Sequence, residues 1–198
     1  VRSEEFFTLE YQRMELIKEM DEREERTAFR FYIMPIAQPS KIIGVIGLTN
    51  VIWGAFCSAF LGYKLDKDHI AKGYMSAAVE MITKFSFEEL GLHRLEANVM
   101  PKNKASLRVL EKNQFVNEGI SKYYLNINGV WEDHVHMVKI NYAMPVNHVQ
   151  MNIGIWQKRM RSEKESMAMT KTGILPWILT KSPDSIDIKR LVWYNMST

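Results

Sequence analysis

Apolar positions change their period several times along the chain, and each change marks an element. Ser3-Glu4-Glu5 reads as an N-cap with two acids in the first turn. Phe6, Leu9, Met14, Ile17 and Met20 follow at helical spacing, up to a charged tip at residues 21–26. Residues 28–34 and 41–52 then read as strands separated by the turn from Pro35 to Ser40, and a third strand runs through 56–66. Helical spacing returns after Gly73, with Ala78, Met81, Ile82 and Phe85 on one side and Gly91 as a C-terminal stop. From 93 to 100 the chain alternates, so Leu95, Ala97 and Val99 face one way and Arg94, Glu96 and Asn98 the other. A short helix from 103 to 113 carries Leu107, Val109 and Leu110, and strands 115–127 and 130–141 flank the hairpin turn Asn128-Gly129.

One helix, three strands, one helix, one strand, one helix and two strands predict a mixed α/β sandwich, with helices packed on a sheet of about six strands. The 198 residues suffice for one domain plus an appendage. The pattern breaks after Met144, which divides the chain into a domain at 1–143 and an extension at 144–198. Within the extension, residues 151–169 could form a basic, methionine-rich amphipathic helix, while 172–198 show no clear period.

Charge changes the picture in one respect. The domain holds 18 basic and 19 acidic residues and the extension the other 8 and 4, so the basic balance belongs to the extension. Nothing in the domain resembles a nucleic-acid footprint. Residues 42–63 carry no charge, but four glycines together with Thr49, Asn50 and Ser58 favour two buried strands with a turn near Asn50 over a membrane span. A single cysteine, Cys57, excludes an intrachain disulfide and suits a reducing, cytoplasmic setting.

Candidate chemistry lies in three places. Ile70-Ala71-Lys72-Gly73-Tyr74-Met75 follows a strand and opens a helix, whose unpaired N–H groups suit a diphosphate, although an ordinary strand-to-helix connection would look the same. Glu96 either points into a cleft or is paired with a neighbour such as Arg94. In Pro101-Lys102-Asn103-Lys104-Ala105-Ser106, Asn103 is a good N-cap and Ser106 sits in the first turn, a pattern that plain capping also explains. His134 and His136 share a strand face, and without a third ligand they make a poor metal site.

Taken in order, these segments resemble the GCN5-related N-acetyltransferases. The resemblance is carried by Leu61-Gly62-Tyr63-Lys64-Leu65-Asp66, by Lys72-Gly73-Tyr74 and by the run from Phe87 through His93-Arg94-Leu95-Glu96-Ala97. Pro101-x-Asn103-x-x-Ser106, Leu110-Glu111-Lys112, Phe115, Glu118-Gly119 and Asn128-Gly129-x-Trp131-x-Asp133-His134 are similar to the RimJ/RimL-type branch, which acetylates protein amino termini, notably of ribosomal proteins. The match covers residues 3–142.

The resemblance implies a mixed, mostly antiparallel sheet with flanking helices, acetyl-CoA as co-substrate and no metal. It implies that the strand ending at Leu65 offers free backbone groups to the pantetheine arm. Ile70, Ala71, Lys72, Gly73, Tyr74 and Met75 would wrap the diphosphate, and Asn103 would bond the pantetheine. Ser106 would donate a hydrogen bond to the departing thiolate, and Glu96 would draw a proton from the attacking ammonium through water. The acceptor is then an amine, foremost a ribosomal-protein amino terminus, with no direct nucleic-acid or membrane partner. A small-molecule amine acetyltransferase (polyamine, antibiotic or amino acid) and a non-catalytic CoA-binding relative are the alternatives.

The sequence departs from the family in several places. Ala71 stands where this turn usually has glycine, Gln114 replaces the glycine before Phe115, and Leu110 occupies the place of a tyrosine acid common among relatives. The family's first strand has no counterpart ahead of the first helical region. An edge strand left open in this way predicts a homodimer.

Overall fold

The computed structural model describes residues 3–143 and the short stretch 178–181. Helix α1 spans Leu9–Glu24. Strands β1 (Phe29–Pro35), β2 (Gly44–Ile52) and β3 (Ser58–Leu65) follow, then helix α2 (Tyr74–Lys84), strand β4 (Arg94–Val99) and helix α3 (Lys104–Lys112). The hairpin β5 (Val116–Ile127) and β6 (Val130–Ile140) completes the domain, and β7 (Ile178–Lys181) comes from the extension. The sheet order is β5-β6-β4-β3-β2-β1-β7. Pairing is antiparallel except at β3–β4 and β1–β7.

Alternation decides which face of the sheet is buried. Phe29, Phe31, Ile46, Leu48, Leu61, Leu95, Ala97, Val99 and Met137 point to one face, where they pack with Val79, Ile82, Leu90 and Leu110 in a single core. Phe85 closes this core by meeting the rings of Phe29 and Phe31 edge-on. Each fully buried side chain of this kind contributes about 1.5–3 kcal/mol. Just past α2 the backbone widens into a π-turn over Phe85–Glu89. The hydroxyls of Thr83 and Ser86 bond back to the carbonyls of Val79 and Ile82 at 2.7 and 2.6 Å, which loosens the helical ladder there.

Three expectations change. The first helical region is broken: Ser3 precedes a 3-10 turn at Glu4–Phe7, and Thr8 caps α1 by accepting from the Tyr11 N–H at 3.2 Å. Its apolar stripe is not a core face, because Leu9, Met14 and Ile17 are exposed. The turn between β2 and β3 lies at residues 53–57 rather than near Asn50. Asn50 has φ of 49° and sits where the β2–β3 register shifts, so it marks a bulge inside β2.

The third change concerns the open edge. The sheet has a seventh strand, because Ile178–Lys181 runs parallel to β1 from Tyr32 to Pro35. The part of the chain with no visible period thus pairs with the edge that was expected to be open. The helix expected at 151–169 lies outside the described residues. Among the described residues, no helix is long and apolar enough to cross a membrane.

Candidate active site

Strands β3 and β4 pair only from Ser58 to Phe60 and from Arg94 to Glu96. Beyond that point β3 continues to Leu65 and β4 to Val99 without pairing to each other, so the sheet forks. The edge of β3 from Leu61 to Leu65 that faces β4 therefore has no strand partner among the described residues. Leu65 ends this arm, and the Asp66 N–H turns away to the Ile43 carbonyl at 2.7 Å.

The turn after β3 leads into the start of α2. Asp66 accepts from the Asp68 N–H at 3.2 Å and meets His69 Nδ1 at 3.0 Å. These bonds, the Asp68 N–H foremost, hold the Asp66 carboxyl below the usual aspartate range. The Lys72 ammonium folds back onto the Asp68 carbonyl at 2.8 Å. Gly73 occupies the N-cap of α2 with φ of 83° and provides no side-chain cap. The first N–H groups of the helix are thus left for another partner. A Cβ at Gly73 would meet nothing within 4 Å among the described residues, so that position is open. Ile70 and Ala71 are exposed, Tyr74 is half-buried, and Met75 is buried beneath the turn.

Across the fork, Asn103 caps α3 by accepting from the Ser106 N–H at 3.1 Å. Among the described residues only the Asn103 side-chain carbonyl oxygen is used, which leaves its amide nitrogen to donate elsewhere. The Tyr63 hydroxyl on β3 donates to the Ser106 carbonyl at 3.3 Å and lies 2.8 Å from the Ser106 hydroxyl, so the tyrosine joins the two sides of the fork. Burial pushes the Tyr63 phenol up, so it stays protonated and able to donate. No sequence signal pointed to this contact, because it joins residues 43 positions apart.

Glu96 stands at the mouth of the fork, opposite Phe60. Its carboxylate accepts from Arg94 Nε at 2.7 Å, which is the pairing its sequence position suggested as one of two readings. Arg94 also grips Glu118 of β5 through both terminal nitrogens, at 3.1 and 2.6 Å. This double bond, together with the bond to Glu96, raises the Arg94 guanidinium, and Arg94 in turn lowers the Glu118 carboxyl. The second oxygen of Glu96 has no protein partner among the described residues.

Helix α1 covers the same sheet face as Glu96. Its Glu19 bonds Arg30 at 2.5 Å and the Tyr32 hydroxyl at 3.0 Å. The acids of the 19–25 run are therefore partly committed, with Glu22 also near Lys18 at 3.8 Å. His134 and His136 share that face, and each meets the ring of Tyr124. Among the described residues no group of three His, Cys, Asp or Glu side chains is placed to hold a metal.

Residues 3–116 match the acetyltransferase (GNAT) domain family. The chain belongs to the GNAT N-acetyltransferases. It is 42% identical over 141 residues to the probable N-acetyltransferase YjcK of Bacillus subtilis, which covers 71% of this chain and 77% of that protein. Its fold superposes on the ribosomal-protein-S5-alanine acetyltransferase of Vibrio fischeri with a TM-score of 0.68 and 35% identity, covering 73% and 79% of the two chains. RimJ of Mycobacterium smegmatis, solved with CoA-disulfide, aligns with a TM-score of 0.60 and 28% identity over 70% of this chain and 65% of that one. GNAT acetyltransferases use acetyl-CoA.

Proposed function

We propose that the chain moves an acetyl group from acetyl-CoA to the α-amine of a protein amino terminus, of the kind carried by ribosomal proteins, and that it does so in the cytoplasm. The fork between β3 and β4 carries this reading. The unpaired edge of β3 ending at Leu65, the uncapped helix start at Gly73 and the Ser106 hydroxyl that meets Tyr63 of β3 support it. The likeness to an S5-alanine acetyltransferase at 35% identity supports the class of acceptor.

In this reading the free edge of β3 near Leu65 bonds the pantetheine arm, and the Asn103 amide nitrogen donates to it. The turn Ile70-Ala71-Lys72-Gly73-Tyr74-Met75 directs N–H groups at the diphosphate, which enters the space that a Cβ at Gly73 would occupy. Glu96 takes a proton from the acceptor ammonium through a water at its unpaired oxygen, and Arg94 fixes the carboxylate's direction. The freed amine attacks the thioester carbonyl, the carbon–sulfur bond breaks as the nitrogen gives up its second proton, Ser106 donates a hydrogen bond to the departing thiolate, and that proton reaches the thiolate through solvent. Tyr63, which donates to the Ser106 carbonyl at 3.3 Å and lies 2.8 Å from its hydroxyl, holds the serine in place. An α-amine has a pKa near 8, against about 10.4 for a lysine, so a single carboxylate base is matched to an amino terminus.

Thiol release from acetyl-CoA, followed with an N-terminal alanine peptide, spermidine and a peptide whose only amine is lysine, tests the proposal. The alanine peptide should be the preferred acceptor by at least tenfold. Preference for spermidine would replace it with the small-molecule reading. Binding of acetyl-CoA with no transfer to any amine would replace it with a non-catalytic one.

A further inference from the structure

We propose that Asn98 and Tyr124 form the subsite that binds the first peptide unit of the acceptor, and that this pair selects a peptide over a polyamine. The inference rests on the acetyl-transfer reading above and assigns its specificity to two residues.

Tyr124 owes its position to a break in the hairpin. The β5–β6 register slips between Ser121 and Leu125, so that Lys122, Tyr123 and Tyr124 oppose Asp133 alone. Asp133 closes this bulge by accepting from Lys122 Nζ at 2.7 Å and from the Tyr123 N–H at 3.0 Å. Tyr123 takes the strain, with φ of 51°. A bulge of this kind re-aims the neighbouring side chain. Here Tyr124 turns inward from the edge strand and crosses β6 above His134 and His136, with ring centroids 5.6 and 4.9 Å away. His136 is itself held by Ser121 at 2.7 Å. The tyrosine hydroxyl ends 3.2 Å from the Asn98 amide nitrogen on the central strand β4. Asn98 lies two residues beyond Glu96, on the same face and on the part of β4 that has left β3.

The pair has unmet hydrogen-bonding capacity. Asn98 Oδ1 is buried and has no partner among the described residues. A buried carbonyl in that state calls for a ligand. The Tyr124 oxygen receives the Asn98 amide, so its own proton also lacks a protein acceptor among the described residues. The pair thus presents one acceptor and one donor side by side. Turning the amide over changes nothing essential: Tyr124 then donates to Oδ1, the amide nitrogen becomes the free donor, and the phenol oxygen becomes the free acceptor. A peptide unit, with its N–H and C=O, satisfies both. A polyamine offers donors only and leaves the pair's donor unpaired, and a site built to bond a group rejects the analogue that lacks it.

Steady-state kinetics on the full chain with Tyr124→Phe and Asn98→Leu test the inference. Tyr124→Phe keeps the ring on both histidines, so it removes only the hydroxyl. The acceptors are an N-terminal alanine peptide and isopropylamine, which is the same amine stripped of its peptide unit. The expected result is a loss of about tenfold in kcat/KM for the peptide in each variant, with the acetyl-CoA KM unmoved and isopropylamine turnover unchanged. Equal peptide turnover by wild type and both variants would overturn the inference, as would equal losses on both acceptors. Should the wild type bind acetyl-CoA yet acetylate neither amine, the acetyl-transfer reading fails first. Titrating the alanine peptide into the CoA-loaded chain then decides on the subsite alone. Binding that weakens about tenfold in the variants supports it, and equal or absent binding overturns it.

Discussion

The two faces of the sheet are built by different means. The face under α2 and α3 is apolar and continuous, and the features beside it proposed to hold the cofactor are made largely of backbone: a free strand edge, a left-handed glycine and the first N–H groups of a helix. The face that carries Glu96 and α1 is held by polar side chains that reach between elements. Arg94 ties Glu96 to Glu118, Asn98 meets Tyr124, His136 meets Ser121, and Glu19 holds Arg30 and Tyr32. A backbone-built site suits a constant cofactor, because it depends on chain path rather than on side-chain identity. A site assembled from side chains on separate strands can be changed residue by residue, which suits a variable acceptor.

Breaking the reacting centre, where the two faces meet, should give the largest effects. Ser106→Ala and Glu96→Gln are each expected to lower turnover by about 10²–10⁴ with little change in acetyl-CoA affinity. Glutamine can still accept from Arg94, so the second variant removes only the base. Calorimetry alongside kinetics checks both, and a loss below tenfold in either would withdraw the corresponding role.

Gly73→Val attacks the backbone-built side. At φ of 83° a β-branched residue is strained by about 1–2 kcal/mol, and its side chain would occupy the open space. Acetyl-CoA should bind about tenfold or more weakly while the peptide KM is unmoved. A matched loss in both would mean that the two faces are not separable in this way.

Tyr63→Phe should slow turnover about two- to tenfold, since it removes the neutral hydrogen bonding to the Ser106 hydroxyl and carbonyl. In a Ser106→Ala background only the bond to the carbonyl is left to lose, so the further cost should be smaller than in the wild type.

Smaller effects sharpen the contrast. Ala71 and Gln114 sit at φ of 60° and 63°, so both positions that lack the family's glycine still adopt the left-handed conformation. Ala71→Gly and Gln114→Gly should each stabilise the fold by about 0.5–1 kcal/mol, visible as a rise of about 1–4 °C in Tm. Acid should act on the polar face first. Lys122 lowers the Asp133 carboxyl from its ordinary 3.8, and Arg94 lowers Glu118 from 4.5. A depressed folded pKa gives stabilisation that is present above the ordinary value and is lost as the pH falls through the folded one. Hydrogen exchange in the hairpin should therefore rise below about pH 4, before exchange in the core strands does.

What the sequence revealed follows the same division. The β4 alternation, the glycine ahead of α2, the Asn103 cap and the Asn128-Gly129 hairpin are local patterns, and each could be read from a few neighbouring residues. The Tyr124 bulge could not, because three residues opposing one is a matter of register between strands. The Tyr63–Ser106 bond joins residues far apart in the chain. The exposure of the α1 stripe was not legible either, because periodicity shows that a helix has two sides but not that a partner covers one. Strand β7 was missed because four residues alongside β1 are too few to show a period.

The most direct test of the account is fragmentation mass spectrometry of an N-terminal alanine peptide carrying one internal lysine, after incubation with the chain and acetyl-CoA. The account predicts one acetyl group, located on the α-amine. Acetyl on the lysine, or an unmodified peptide in a sample that acetylates spermidine, would contradict it.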